Sequence, residues 1–385
     1  MNNFTYSIPT VIHFGKGMIS HLTELTESGK NVLLVYGGGS IKRSGLYDTA
    51  KKILSDVQLV VTELPGVEPN PRIETVRRGV KLCKENNIDM VLAIGGGSTI
   101  DCAKVVAAGA KYDGDAWDLV LDGSKITAAL PVYSVLTLSA TGSEMDEFAV
   151  ISDLSKNEKW GTGSDLVKPK MSILDPEYTY TVSPKQTSAG TADMMSHIFE
   201  NYFTNVKGAA VQARLCEGLL KTLIQYAPIA LKHPTDYEAR ANLMWVGSLA
   251  INGLLSDGAD VTWCVHPMEH ELSAFYDITH GEGLAILTPF WMDFALNEQT
   301  AAKFAEYGRN VWNLSIKDDD MTVAKQAIAC TREFFKKMNL PASLHEVGID
   351  DTYFDIMAQK AADGSVGSFV PLSKEDIISI FRAAL

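Results

Sequence analysis

The feature that most constrains this 385-residue chain is a change of hydrophobic period near residue 180. From Asn31 to Asp175, short and nearly continuous apolar runs alternate with helical patterns: NVLLVY (31–36), VQLVVTEL (57–64), MVLAI (90–94), VYSVLTL (132–138) and MSILD (171–175). Unbroken Val/Ile/Leu runs of this length belong to strands buried on both faces, as in a parallel sheet covered by helices. After Asp175 the strand signal stops. Ser183-Pro184-Lys185-Gln186 combines a capping serine, a proline suited to the first turn and a glutamine that completes a capping box. Helical periodicity then runs through QARLCEGLLKTLIQYAPIAL, YEARANLMWVGSLAINGLL and GEGLAILTPFWMDFAL. At the C-terminus Ser373 and Asp376 predict a second capping box, with Leu372 stapled onto Ile377. The predicted fold is an α/β N-terminal domain over residues 1–183 followed by an all-α helical domain over 184–385.

Composition narrows the partners. The net charge is −13, and no basic run or stripe is present to neutralise a phosphate backbone, so nucleic acid is excluded as an expected partner. No apolar stretch reaches the roughly 18–20 residues that a membrane helix needs. The N-terminal MNNFTYSIPT has neither the basic nor the apolar region of a signal peptide, and a cytoplasmic location is expected. Cys83, Cys102, Cys216, Cys264 and Cys330 are odd in number, widely spaced and free of any CxxC, which predicts reduced thiols.

Two glycine runs follow predicted strands. MVLAI leads into Gly95-Gly96-Gly97-Ser98-Thr99-Ile100-Asp101 and then into a helical pattern, which offers close backbone approach and free N–H groups to an anion such as a pyrophosphate. The alternative is a structural turn in which Ser98 and Asp101 form an ordinary N-cap pair. The G-x-G-x-x-G spacing is absent, so a dinucleotide here implies a variant of the usual dinucleotide-binding fold. The second run, Gly37-Gly38-Gly39-Ser40, precedes Lys42 and Arg43. An acidic side chain at such a strand end takes the ribose hydroxyls of NAD and repels a 2′-phosphate; glycine, a hydroxyl and nearby cations suit NADP(H), and a solvated glycine turn is the alternative.

Asp193 and His197 stand four apart in a helical segment, which places them on one face about 5–6 Å apart at Cβ. WCVHPMEHELSAFYDITHGEG then puts His266, His270 and His280 within fifteen residues. One carboxylate with two or three imidazoles suits Fe(II), Zn(II) or Mn(II), and leaves Cys264 better read as a small buried hydrophobe. Spacing leaves open which of His266 and His270 is a ligand. His13, His21, His233 and His345 are scattered and read as structural or exposed.

Together these segments resemble the iron-containing (group III) alcohol dehydrogenases and, within them, the NADPH-dependent butanol dehydrogenases of anaerobic bacteria. The likeness spans the chain through FGKG (14–17), YGGGSIKRSG (36–45), GVEPNPR (66–72), AIGGGSTIDCAK (93–104), LTLSATGSEMD (136–146), LDPEYTYTVSP (174–184), GTADMMSHIFE (190–200), EARANLMWVGSLAINGLL (238–255) and HPMEHELSAFYDITHGEGLAI (266–286). The resemblance implies that Asp193, His197, His266 and His280 bind one divalent metal, Fe(II) or Zn(II), with His270 beside them. It implies cofactor contacts from Gly37, Gly38, Ser40, Gly95, Gly96, Gly97, Ser98, Asp101, Thr137, Ser139, Thr141, Ser143 and Lys159. It also implies a dehydroquinate synthase-like fold, with a dinucleotide-binding α/β domain, a helical metal-binding domain and an active site in the cleft; a homodimer is expected.

The expected chemistry is metal polarisation of an aldehyde oxygen with hydride delivered from NADPH, and the reverse for a small primary alcohol, with His270 as proton relay. Cyclisation of a sugar phosphate on the same fold would need basic residues around the metal, and the segments 190–200 and 245–286 are apolar and poor in them. A nucleotide-binding protein without catalysis would have no use for a carboxylate and imidazoles at metal spacing.

Overall fold

The computed structural model describes all residues from Met1 to Leu385, and they fall into two compact units. The first comprises Ser7–Val182 and Pro234–Ser248. Its sheet has six strands: β1 (Val11–Phe14), β2 (Asn31–Tyr36), β3 (Val60–Pro65), β4 (Met90–Gly95), β5 (Val132–Leu136) and, after two further strands in sequence, β8 (Met171–Leu174). All pairings are parallel, in the spatial order β1-β8-β5-β4-β2-β3. Alternate residues of the central strands enter separate cores: Leu33, Val35, Val91 and Ala93 on one face, and Val32, Leu34, Leu92 and Ile94 on the other. Both faces are covered, which is why these strands read as unbroken apolar runs.

The chain leaves β2 to form β3 on one side and returns to form β4 on the other. The connections diverge between β2 and β4, and in such sheets ligands bind beyond the carboxyl ends of the strands at this divergence. Tyr36 is in register with Ile94, so the two glycine runs leave the sheet side by side.

Two elements were not anticipated from the sequence. β1 has only four residues, with Val11 exposed and the others half-buried, too short and mixed to carry a strand pattern. The remaining strands, β6 (Phe148–Asp153) and β7 (Glu158–Gly163), form an antiparallel hairpin between β5 and β8. Under it lies a buried ion pair. Lys104 Nζ donates to Asp146 Oδ1 at 2.8 Å and to the Phe148 carbonyl at 2.7 Å, while the Phe148 N–H donates to the same Asp146 oxygen. Burial pushes the Asp146 carboxyl up to about 7 despite Lys104, so removing either partner would leave an uncompensated charge in a dry site.

The second unit, Met1–Tyr6, Ser183–His233 and Leu249–Leu385, contains no strand. Pro184 occupies the first turn of helix Pro184–Tyr202, and Ser183 Oγ accepts the Gln186 N–H at 3.2 Å. At the other end Ser373 and Asp376 form the reciprocal capping box. The expected domain limits at 183 and 184 need two corrections, both of which come from long-range contacts. Residues 234–248 belong with the sheet, where Ser248 Oγ donates to the buried Glu144 and Trp245 meets the edge of Phe14. Residues 1–6 belong with the helices: the terminal ammonium donates to the Lys207 carbonyl, and the Asn2 N–H to that of Gly258. No helix is long and apolar enough to cross a membrane.

Candidate metal centre and nucleotide cradle

Helix Pro184–Tyr202 is buried from Thr187 onward, so every polar group on it must find a partner inside the protein. Asp193, His197 and Glu200 lie on one face of it at intervals of four and three residues. Helix Val265–Tyr276 begins beside this face and contributes His266, and helix His280–Ala295 begins with His280. Three imidazole nitrogens then converge on one carboxylate oxygen. The Nε2 atoms of His197, His280 and His266 stand 3.4, 3.6 and 3.9 Å from Asp193 Oδ1. Ligands about 2.0–2.1 Å from a tetrahedral metal lie about 3.3–3.4 Å apart, close to this spacing. The His197 and His266 rings are nearly parallel, with centroids 4.8 Å apart.

The hydrogen-bond pattern fits a cation held by these donors. Asp193 Oδ1 and His266 Nε2 are both buried and have no hydrogen-bond partner, which is costly for polar atoms unless an ion satisfies them. Burial alone would raise the Asp193 carboxyl, but the surrounding imidazoles hold it far below the usual carboxylate range. Burial drives His197 down to about 3 against the pull of Asp193, so that ring is neutral, as a ligand must be. His266 moves the other way, to about 9: burial opposes the shift, and the attraction of the Asp193 and Glu200 carboxylates outweighs it.

Two carboxylates behind the rings escaped the sequence analysis. Glu200 Oε1 accepts the N–H groups of Val265 and His266 at 2.9 and 3.0 Å, its Oε2 accepts that of Cys264, and its Oε1 lies 3.2 Å from His266 Nδ1. It therefore caps the helix and orients the ring at once. Glu269, fully buried, takes His280 Nδ1 on Oε2 and the Ser273 hydroxyl on Oε1. The signal for Glu200 was available, since it shares the face of Asp193 and His197; Glu269 pairs across eleven residues and leaves none. His270 lies beside this set, its ring centroid 5.6 Å from that of His280 and 6.4 Å from that of His266.

The HGEG sequence at 280–283 explains how His280 reaches Asp193. A Cβ on Gly281 would sit 2.0 Å from the Ala189 carbonyl oxygen, so the two helix backbones cross in direct contact. A Cβ on Gly283 would sit 2.8 Å from Glu269 Cγ.

The candidate nucleotide cradle lies in the sheet unit. Gly37, Gly38 and Ser40 follow β2, Gly95–Ser98 close β4 and open helix Gly97–Gly109, and Thr137, Ser139, Thr141 and Ser143 follow β5. These three strands are adjacent, and the Thr137 N–H donates to the Gly95 carbonyl at 2.9 Å. The Ser98–Asp101 cap considered above does not form; the helix has Gly96 at its N-cap and no side-chain cap. Asp101 instead accepts from the Ser143 hydroxyl at 2.6 Å and the Val150 N–H at 2.9 Å, tying the helix to the following loop and to β6. Lys159 is buried on β7 opposite Ser152. The glycines were expected to leave room for a ligand, and only part of that room is open. A Cβ on Gly97 would strike Thr141 Oγ1 at 2.1 Å, whereas Gly38 has nothing within 4 Å.

The helix crossing yields a direct test. Gly281→Ala is expected to cost at least about 1–3 kcal/mol through overpacking and to displace His280 from Asp193. Metal counting on the purified variant should show a substoichiometric ion alongside a lowered Tm; full occupancy at unchanged Tm would contradict the crossing as the determinant of the site.

The family model described as iron-containing alcohol dehydrogenase matches residues 9–176, and the one for the C-terminal part of the Fe-containing alcohol dehydrogenase family matches residues 187–385. NADH-dependent butanol dehydrogenase A of Clostridium acetobutylicum is 56% identical over 99% of both chains. NADPH-dependent aldehyde reductase YqhD of Escherichia coli is 40% identical over 94% of this chain and 93% of its own. Among solved structures, that of NADH-dependent butanol dehydrogenase A of Thermotoga maritima superimposes with a TM-score of 0.95 at 36% identity, covering 100% of this chain and 99% of that one. With its sheet, its glycine turns and its convergent ligand set, the chain belongs to the iron-containing alcohol dehydrogenase family.

Proposed function

We propose that this protein is a cytoplasmic NADP(H)-dependent alcohol dehydrogenase and aldehyde reductase acting on small primary alcohols and aldehydes such as butanol and butanal. The observation that carries the reading is the convergence of three imidazole Nε2 atoms on a buried carboxylate oxygen that has no hydrogen bond of its own. The names of the relatives, butanol dehydrogenase and aldehyde reductase, supply the substrate class. Five free cysteines suit a reducing compartment.

Asp193, His197, His266 and His280 hold the divalent metal, Fe(II) or Zn(II), while Glu200 and Glu269 fix the orientation of two of the rings. When bound, the metal supplies Lewis-acid polarisation of the substrate oxygen and the nicotinamide supplies or accepts hydride. The Gly37–Ser40 and Gly95–Ser98 turns bind the cofactor phosphates, with Asp101, Thr137, Ser139, Thr141, Ser143 and Lys159 shaping the rest of the cradle. His270, partly exposed and adjacent to His280, passes the proton between substrate oxygen and solvent. The working form is a homodimer.

Butanal-dependent loss of nicotinamide absorbance tests the activity. His280→Ala is expected to lose metal and to reduce turnover by at least about 100-fold while cofactor still binds, because the glycine turns share no residue with the ligand set. His270→Ala should keep its metal and lower kcat by roughly 100-fold, the lower range for loss of a general acid or base. Loss of metal from the His270 variant would place that ring among the ligands instead.

The cofactor preference rests on Gly37. No carboxylate stands at the end of β2, and the Glu63 carboxylate on β3 is already engaged by the Tyr36 and Tyr47 hydroxyls and by Lys51. Lys42 lies 5.0 and 4.7 Å from the Tyr36 and Tyr47 ring centroids, which keeps an ammonium near the turn. Of the three glycines only Gly39 has a positive φ, 103°, so position 37 tolerates a side chain in backbone terms; its Cβ would lie 3.2 Å from the Val67 carbonyl, a tight contact. NADPH is expected to exceed NADH by at least roughly tenfold in kcat/KM, about 1.4 kcal/mol, and Gly37→Asp to lower or reverse that ratio. Steady-state kinetics with both cofactors at matched aldehyde concentration decides it. An equal or NADH-favouring ratio in the unmutated enzyme would show that this turn does not read the 2′-phosphate.

A further inference from the structure

The three imidazoles that converge on Asp193 are not supported alike. His266 has the Glu200 carboxylate behind its Nδ1, and His280 has that of Glu269. His197 has neither: its Nδ1 is shut off from solvent and makes no hydrogen bond. A ring that meets a metal through Nε2 carries its proton on Nδ1, where a carboxylate or carbonyl normally fixes its rotation and strengthens it as a donor. Two aromatic rings flank His197 instead. The His266 ring lies within 10° of parallel to it at a centroid distance of 4.8 Å, and the indole of Trp263 lies 5.5 Å away, tilted by 36°. Trp263 also meets His266, with centroids 4.6 Å apart.

We propose that Trp263 is the positioning residue of His197, its indole doing by packing for this ring what the carboxylates of Glu200 and Glu269 do by hydrogen bonding for the other two.

The backbone around Trp263 is held from both sides, as that task requires. The Thr262 N–H donates to Ser368 Oγ at 3.1 Å, and the Thr262 carbonyl accepts the Ser368 N–H at 3.2 Å. Ser368 Oγ donates in turn to the Asp260 carbonyl, and Asn205 Nδ2 donates to the carbonyls of Ser368 and Phe369. After Trp263, the Cys264 N–H is taken by Glu200 Oε2, and a Cβ on Gly367 would sit 3.0 Å from that of Cys264. The indole is thus carried on a segment with little freedom to swing away from the two imidazoles. His266 needs no such help, because Glu200 already fixes it. An aromatic contact biases an equilibrium by roughly 2- to 12-fold, and loss of a partner behind a ligand weakens metal binding by roughly 10- to 100-fold. The two ranges meet near tenfold.

Trp263 has this role only if His197 is a ligand, as proposed above, and the test separates the two. Full-length protein stripped with chelator is titrated with Zn(II) against chromophoric chelators of graded affinity. Trp263→Ala is expected to weaken binding roughly tenfold, and Trp263→Phe, which keeps a ring, to stay within about threefold of the wild type. In Co(II)-loaded protein, Trp263→Ala should shift the visible ligand-field bands and Trp263→Phe should restore them. Double-mutant cycles isolate the route through His197: Trp263→Ala should add nothing in a His197→Ala background, yet keep its full effect in a His280→Ala background. Equal weakening in both backgrounds, which a merely structural tryptophan would give, would overturn the proposal, and so would wild-type affinity in Trp263→Ala. Unchanged Zn(II) affinity in His197→Ala would instead remove that residue from the ligand set, and the role of Trp263 with it.

Discussion

The helical unit depends on one close approach: the backbone of helix His280–Ala295 passes Ala189 with no side chain between. Most helix pairs are held 8–10 Å apart by the residues at their contact. Here glycine at 281 removes that spacer, and His280, one residue earlier, is carried within 3.6 Å of Asp193 Oδ1. A second glycine at 283 makes space for Glu269, which in turn holds the other nitrogen of His280. Helix crossing, ligand position and ligand orientation thus follow from a single four-residue sequence.

Electrostatics accounts for the rest of that site. Asp193 and Glu200 are both buried, and such a pair of carboxylates is tolerable only if positive charge or many donors surround it. Glu200 is satisfied by three backbone N–H groups at a helix start and by His266, using the partial positive charge that a helix N-terminus provides. Asp193 has no comparable set of amides and faces the imidazoles instead. The difference in partners separates an orienting carboxylate from a candidate ligand, although both project from the same face of one helix.

Much of this was readable in the sequence because it is local. The five apolar runs over 31–175 each overlap a strand of the parallel sheet, and in β2, β4, β5 and β8 burial on two faces leaves its mark in nearly every residue. Asp193 and His197 were legible because four residues make one helical turn. What escaped depends on distant partners. β1 is a four-residue edge strand whose identity comes from β8, about 160 residues away in the numbering of its register partners, Val11 and Met171. The β6–β7 hairpin was overlooked between two stronger runs. Residues 234–248 have ordinary helical periodicity, and nothing in that period reveals that Ser248 bonds to Glu144. Glu269 is likewise one acidic residue among 47 Asp and Glu until His280 folds against it.

The division of the chain into a sheet unit and a helical unit has a consequence for how such proteins diversify. Gly37 and its neighbours lie in the sheet unit, within Ser7–Val182, whereas Asp193, His197, His266 and His280 lie in the helical unit. No side chain serves both sets. Under the proposed roles, mutational drift in one can proceed without passing through variants crippled in the other, so a lineage could sample new redox carriers while the candidate ligands stay fixed, or change its preferred ion on an unaltered carrier. Relatives whose names specify NADH or NADPH on one shared architecture are the pattern that such evolutionary independence would leave.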